Sequence, residues 1–235
     1  MIYVTGDTHG QFGRIKQFCE RFQTGKKDIL IIMGDAGLNT QDKDKDQQRK
    51  KYVEELSITL FCIHGNHEQR PQTIESYKEK IWHGGVVYYE EEYPNLLFAK
   101  DGEIFDLEGK QTIVIGGAYS VDKPLRLAFD YPWWPDEQPS DEIKAYVEEQ
   151  LTKQNWKVDV VLSHTSPLKY IPMEKFVTGF DPGKIDKSTE EWLDTIEDRL
   201  EYKKWYCGHY HTEKVIDQVE FLNENYKSLT AIDKN

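Results

Sequence analysis

Ile29-Leu30-Ile31-Ile32-Met33 is an unbroken apolar run, opened by Asp28 and closed by Gly34. A strand with one wet face alternates polar and apolar side chains, whereas this run offers apolar groups to both faces. The chain must therefore bury it in a sheet covered above and below, which calls for a layered architecture. Ile58-Thr59-Leu60-Phe61-Cys62-Ile63, Thr112-Ile113-Val114-Ile115 and Val158-Asp159-Val160-Val161-Leu162 have a similar character, and Ile2-Tyr3-Val4 is a shorter version.

Helical periodicity separates several of these runs. Phe12, Ile15, Phe18, Cys19 and Phe22 recur on one face after the first run. Ser140 has the chemistry of an N-cap, followed by acidic residues and by Ile143, Tyr146, Val147 and Leu151 on one side. Ser188-Thr189-Glu190-Glu191 has the form of a capping box opening a helix that buries Trp192, Ile196 and Leu200. The mixed-charge stretch from Gln41 to Lys51 reads as a solvated loop and helix face.

Short strands at Val86–Tyr89, Leu96–Phe98 and Glu103–Phe105 cluster without helices, as expected for an antiparallel edge or a second sheet. Val215-Ile216 and Val219–Phe221 suggest a closing hairpin. From Tyr119 to Ser140 the chain is aromatic and rich in proline, which predicts a packed loop and argues against a helix. The order predicts one α/β domain over 1–235 with a mixed sheet.

The chain holds 42 acidic and 30 basic residues, a formal charge of −12, which excludes a broad electrostatic grip on long nucleic acid or an anionic membrane. Its three cysteines are far apart, and Cys62 and Cys207 lie inside apolar runs, so they read as reduced packing residues. No apolar stretch approaches a membrane span, and the chain starts directly on its first strand without a basic leader. A cytoplasmic protein is the expectation.

Five strand-like runs, Trp205-Tyr206-Cys207 among them, end in polar turns. The turns carry Asp7 and His9, then Asp35, then Asn66 and His67, then His164, and finally His209 and His211, which takes in five of the seven histidines. In layered α/β folds the loops beyond the strands' C-terminal ends share one rim, so these groups should converge. Carboxylate, imidazole and amide oxygen without thiolate suit Mn, Fe, Zn or Ni better than a cysteine-rich structural zinc. The donors are too many for one tetrahedral ion and enough for two sharing Asp35. Such a pair lowers the pKa of water to roughly 7 and leaves a locally positive site that attracts a phosphate ester. His67, beside a ligand but free of ligation, is placed to protonate a leaving alkoxide.

Gly6-Asp7-x-His9, Gly34-Asp35, Gly65-Asn66-His67-Glu68, the strand-terminal His164 and Gly208-His209-x-His211 together resemble the calcineurin-like metallophosphoesterases over nearly the whole chain. The resemblance implies a four-layer α/β/β/α sandwich with mixed sheets and a binuclear centre, manganese foremost. It implies Asp7, His9 and His211 on one ion, Asn66, His164 and His209 on the other, Asp35 bridging them, and His67 as general acid. It also sets Arg70 where the Ser/Thr protein phosphatase branch clamps phosphate. That branch continues its second motif with aspartate and arginine, where this chain has Leu38 and Asn39.

The expected activity is hydrolysis of a phosphomonoester or phosphodiester, with a small phosphorylated substrate such as a nucleotide, or a phosphorylated protein. Nucleotide phosphodiesterase or nuclease action, with base stacking by the aromatic loop, and a metal-binding scaffold without turnover stay open at this point.

Overall fold

The computed structural model describes residues 1–175 and 185–229. The chain begins β1 (Ile2–Thr5), α1 (Gly13–Phe22), β2 (Ile29–Ile32), α2 (Lys43–Glu54) and β3 (Thr59–Cys62). It continues through β4 (Lys78–Trp82), β5 (Gly85–Tyr89), β6 (Leu96–Ala99), β7 (Ile104–Leu107) and β8 (Lys110–Ile115). Then come α3 (Lys123–Ala128), α4 (Asp141–Lys153), β9 (Val160–Ser163) and α5 (Ser188–Glu197). Last are β10 (Lys204–Cys207), β11 (Lys214–Ile216), β12 (Val219–Phe221) and β13 (Lys227–Ser228).

Two mixed sheets result. Among the described residues the first has the order β13-β1-β2-β3-β6-β5-β4 and the second β11-β12-β10-β9-β8-β7. The central strands β1, β2, β3 and β6 run parallel, as do β8, β9, β10 and β12, while β13, β5, β4, β11 and β7 pair antiparallel at the flanks.

Strand periodicity explains the layers. Ile2, Val4, Ile29, Ile31, Phe61 and Leu97 point from the first sheet into a core shared with Phe105, Val114, Val160, Leu162 and Tyr206 of the second. Their neighbours Tyr3, Leu30, Ile32, Leu60 and Cys62 face the other way and pack on Phe12, Ile15, Phe18 and Val53 of the α1 and α2 side. On the far side Ile113, Ile115, Val161, Trp205 and Cys207 meet Val147 and Leu151 of α4 and Leu193 and Ile196 of α5. Helices, sheet, sheet and helices thus enclose three apolar cores, and the uninterrupted apolar runs are the strands buried on both faces.

One strand carries no signal in the sequence, and three expectations need correction. β4, Lys-Glu-Lys-Ile-Trp, is an edge strand whose lysines and 72% exposed Ile81 carry no burial signature. The charged stretch is α2, and it is not simply solvated: Asp46 and Lys50 are buried, with Lys50 Nζ 3.1 Å from Asp46 and 2.6 Å from Glu90. The proline-rich segment includes α3, because Pro124 sits in the first turn, where a missing N–H costs nothing. Ser188 does not cap α5; Asp186 accepts its N–H at 2.9 Å, and Glu190 turns inward to receive the Thr165 hydroxyl at 2.7 Å. Ser140, by contrast, caps α4 through a bond from the Ile143 N–H. Among the described residues no helix is long and apolar enough to cross a membrane.

Candidate metal centre

The turns after β1, β2, β3, β9 and β10 converge, as the parallel registers of both sheets require. His9 N–H donates to the Asp35 carbonyl at 2.8 Å and Gly10 N–H to the Ala36 carbonyl at 2.9 Å, so the first two turns are stitched together. Arg49 of α2 braces them by donating to the Gly37 carbonyl at 2.6 Å. Across the sheets, His209 N–H donates to Asp7 Oδ1 at 3.0 Å. A Cβ on Gly208 would stand 2.3 Å from that same oxygen, so only glycine permits the approach. Gly34, at φ +102, is likewise fixed: a Cβ there would lie 2.1 Å from His164 Nδ1.

Asp7 Oδ2 lies 3.2 Å from His211 Nε2 and 3.8 Å from His9 Nε2, and those two nitrogens are 2.9 Å apart. Asp35 Oδ2 is 3.8 Å from His164 Nε2 and 3.9 Å from His67 Nε2. Asn66 directs Oδ1 to 2.8 Å from His164 Nε2, and its amide nitrogen donates to Ser120 Oγ at 2.9 Å. His164 is oriented by a 2.7 Å contact between Nδ1 and the Met33 carbonyl. His9, Asp35, His209 and His211 all have positive φ, a conformation that costs a non-glycine residue energy and concentrates at functional sites.

The electrostatics favour cations. Burial alone would push the Asp35 carboxyl up, but the imidazoles of His164, His67 and His9 and the His67 N–H outweigh it and hold it down to about 2. Burial drives His209 down to about 3, keeping its imidazole neutral and able to donate a lone pair. The Asp7 carboxylate, 3.2 Å from its Nε2, raises His211. Burial lowers His67, against the pull of Asp35.

Among the described residues two groups have ligand atoms all within 4.8 Å of one another: Asp7, His9 and His211, and Asp7, Asp35 and His164. Asp7 Oδ2 is buried without a hydrogen-bond partner. A buried carboxylate oxygen with no donor, facing imidazole nitrogens that crowd one another, fits a bound divalent cation. Asn66 and His209 adjoin the same groups. All the ligands expected from the strand-end pattern are therefore brought together, and His67 stands beside them with about a quarter of its side chain exposed.

Arg70 is buried in an ion pair. It is 3% exposed, its Nη1 is 2.6 Å from Asp101 Oδ2, and its Nε donates to the Asp136 carbonyl at 2.7 Å. Asp101 Oδ1 in turn accepts the Gly116 N–H at 2.6 Å. Two further residues support the site, Glu68 of the third motif and Ser120, and the sequence shows the role of neither. Glu68, fully buried, accepts from Gly65 N–H at 2.9 Å and Ala36 N–H at 3.1 Å and so ties the second strand end to the third. Ser120, which fixes the Asn66 amide, follows the end of β8; that a strand end borders the rim was the available signal.

A four-layer sandwich with carboxylates, imidazoles and an amide gathered at its strand ends defines a metal-dependent hydrolase of phosphoric esters. The chain belongs to the calcineurin-like phosphoesterases, whose family model matches residues 1–213. Its fold is similar to that of TT1561 of Thermus thermophilus, at 10% identity, TM-score 0.51, with 94% of this chain and 87% of that chain covered. A second solved structure is 16% identical, also at TM-score 0.51, with 94% and 89% covered. No curated protein sequence matches.

Proposed function

We propose that this protein hydrolyses a small phosphomonoester or phosphodiester at a binuclear centre, manganese foremost, with His67 protonating the departing oxygen. The observation that carries the reading is the meeting of two potential ligand groups, Asp7–His9–His211 and Asp7–Asp35–His164, with Asp35 held ionised among the imidazoles. Asp7, His9 and His211 would hold one ion, Asn66, His164 and His209 the other, and Asp35 both. When bound, the ions acidify water and draw electron density from the phosphoryl group. Ser120 keeps the Asn66 oxygen turned inward, the Met33 carbonyl fixes the His164 ring, and Asp35 Oδ1 accepts the His67 N–H at 2.8 Å, holding the acid's backbone in place. The His67 ring, part exposed and 3.9 Å from Asp35, delivers its proton to the leaving group.

The test is the metal-reconstituted protein on an alkyl phosphate, an aryl phosphate with a good leaving group, a phosphodiester and a nucleotide panel. His67→Gln is expected to retain metal and lose about 10²- to 10⁴-fold in kcat on the alkyl ester, with a smaller loss on the aryl ester. Undiminished alkyl ester turnover in that variant removes His67 from the reaction, and silence of the wild type on every ester supports a scaffold. A nucleotide preference is favoured by one feature: Phe129 and Tyr131, 65% and 62% exposed, stack with centroids 6.0 Å apart beyond α3.

A further inference from the structure

A groove of about 620 Å³ opens between α2, the segment after His67 and the turn following β5. Its near wall is the hydrogen bond from Gln69 N–H to the Asn39 carbonyl, 3.0 Å long. Gln69 is two residues beyond His67, so their Cα atoms are within roughly 7 Å, since the chain spans at most about 3.6 Å per residue. An arm of about that length on a phosphate held at the metals would bring its far end to this groove.

The lining is strongly acidic: Asp44, Asp46, Glu75, Glu90 and Glu92 face two lysines. Lys50 is consumed by Asp46 and Glu90, at 3.1 and 2.6 Å, which leaves Asp44, Glu75 and Glu92 without an ion pair among the described residues. The acidic cluster alone would be unremarkable in a chain of net charge −12. Asn39 adds an independent sign of a ligand. It is 2% exposed, lines the groove at φ +54, accepts the Tyr77 hydroxyl on Oδ1 at 2.8 Å, and has a buried Nδ2 with no partner. A buried amide N–H with nothing to bond costs free energy that an incoming acceptor would recover.

We infer that the groove binds an ammonium or guanidinium group of the substrate, the carboxylates taking the charge and Asn39 Nδ2 a neighbouring carbonyl or hydroxyl oxygen. The inference rests on the phosphoesterase reading and narrows its substrate to a phosphate ester with a cationic arm. Two sources share that chemistry: a lysine or arginine side chain near a phosphorylated residue, and a small phosphorylated amine.

The experiment has a turnover arm and a binding arm, both on the manganese-loaded protein. In the first, kcat/KM is compared for phosphoserine peptides with arginine or glutamate flanks, and for an aminoalkyl against an alkyl phosphate. A preference of about tenfold for the cationic member of one pair is expected, as from two partly screened ion pairs. In Asp44→Lys/Glu75→Lys that ratio should fall to about one, since both substituted positions are exposed and lie on the groove. In the second arm, spermidine and an unphosphorylated arginine-rich hexapeptide are titrated by calorimetry, which needs no turnover. Peptide binding lost in the double variant assigns the polypeptide source, and spermidine binding alone assigns the small amine. Equal kcat/KM within each pair, or no binding of either cation, overturns the groove while leaving hydrolysis standing. Absence of all turnover with binding intact strikes the phosphoesterase reading instead.

Discussion

His9 and His211 meet nitrogen to nitrogen, their Nε2 atoms 2.9 Å apart over the Oδ2 of Asp7. Only one proton can lie between them, and Asp7 Oδ2 has no other donor. A cation drawn from solution relieves this crowding only in the folded state, so binding is coupled to stability. At a metal concentration of one hundred times Kd the gain is about 2.7 kcal/mol, or roughly 5–10 °C in Tm for a chain of this length. Differential scanning fluorimetry of chelated protein titrated with manganese and zinc should show that rise, and His211→Ala should lose about half of it. A Tm indifferent to every divalent ion would contradict the ligand assignment.

Ser120 acts through Asn66, one of the proposed ligands, rather than by holding a metal itself. Its Oγ receives the Asn66 amide N–H at 2.9 Å, which compels Oδ1 to face His164. Ser120→Ala frees the amide to rotate, and affinity at the His164 position is expected to fall about 10- to 100-fold. Competition with a fluorescent chelator measures it, and the affinity of the Asp7–His9–His211 group should hardly change. Ser120→Thr, which keeps the hydroxyl, should restore binding if orientation is the cause.

The parts of this molecule legible in its sequence are those where one chain segment carries its own explanation. Ile29–Met33 shows a strand buried on both faces because no exposed face is compatible with it. Asp7, Asp35, Asn66, His164 and His209 were visible because each closes such a run and parallel sheets put those ends together. What stayed hidden depends on distant partners. Nothing near Lys50 announces Glu90, 40 residues on, and nothing near Arg70 announces Asp101. Without those partners a buried ion pair reads as a surface charge or a phosphate clamp. β4 was illegible for the opposite reason: at a sheet edge, backbone pairing with β5 suffices and the side chains are free to be polar.

The buried pair of Arg70 and Asp101 makes a distinction that activity alone would blur. Both side chains are nearly inaccessible, so removing one partner strands a charge in low dielectric. Asp101→Asn is expected to cost about 3–5 kcal/mol, and Arg70→Met a comparable amount, in urea unfolding. KM for a phosphate ester in Arg70→Met should stay within about twofold of wild type once folding is secured at low temperature; such a change corresponds to roughly 0.4 kcal/mol. A tenfold rise in KM at unchanged stability would instead give Arg70 a direct contact with phosphate.

Glu190 should give the protein a pH dependence of opposite sign to that of an ordinary ion-paired carboxylate. The residue is 5% exposed; burial raises its pKa above 4.5, with Asp186 adding to the rise, while Thr165 and His164 only partly oppose it. Oε1 receives the Thr165 hydroxyl, but Oε2 is buried without a partner, so ionisation adds charge where nothing answers it. The folded state therefore holds this proton more tightly than the unfolded chain does. The contribution is fully present below the unfolded pKa of about 4.5 and is lost as pH rises through the folded value, at up to about 1.4 kcal/mol per pH unit. Glu190→Gln has no proton to lose. Its stability relative to wild type should grow between pH 4.5 and 8, read from urea midpoints of chelated protein so that metal occupancy does not enter. The other titrating groups are common to both proteins and cancel in the difference. A difference that is flat across that range, or that shrinks with pH, would mean that Glu190 is ionised as readily in the folded protein as in the open chain.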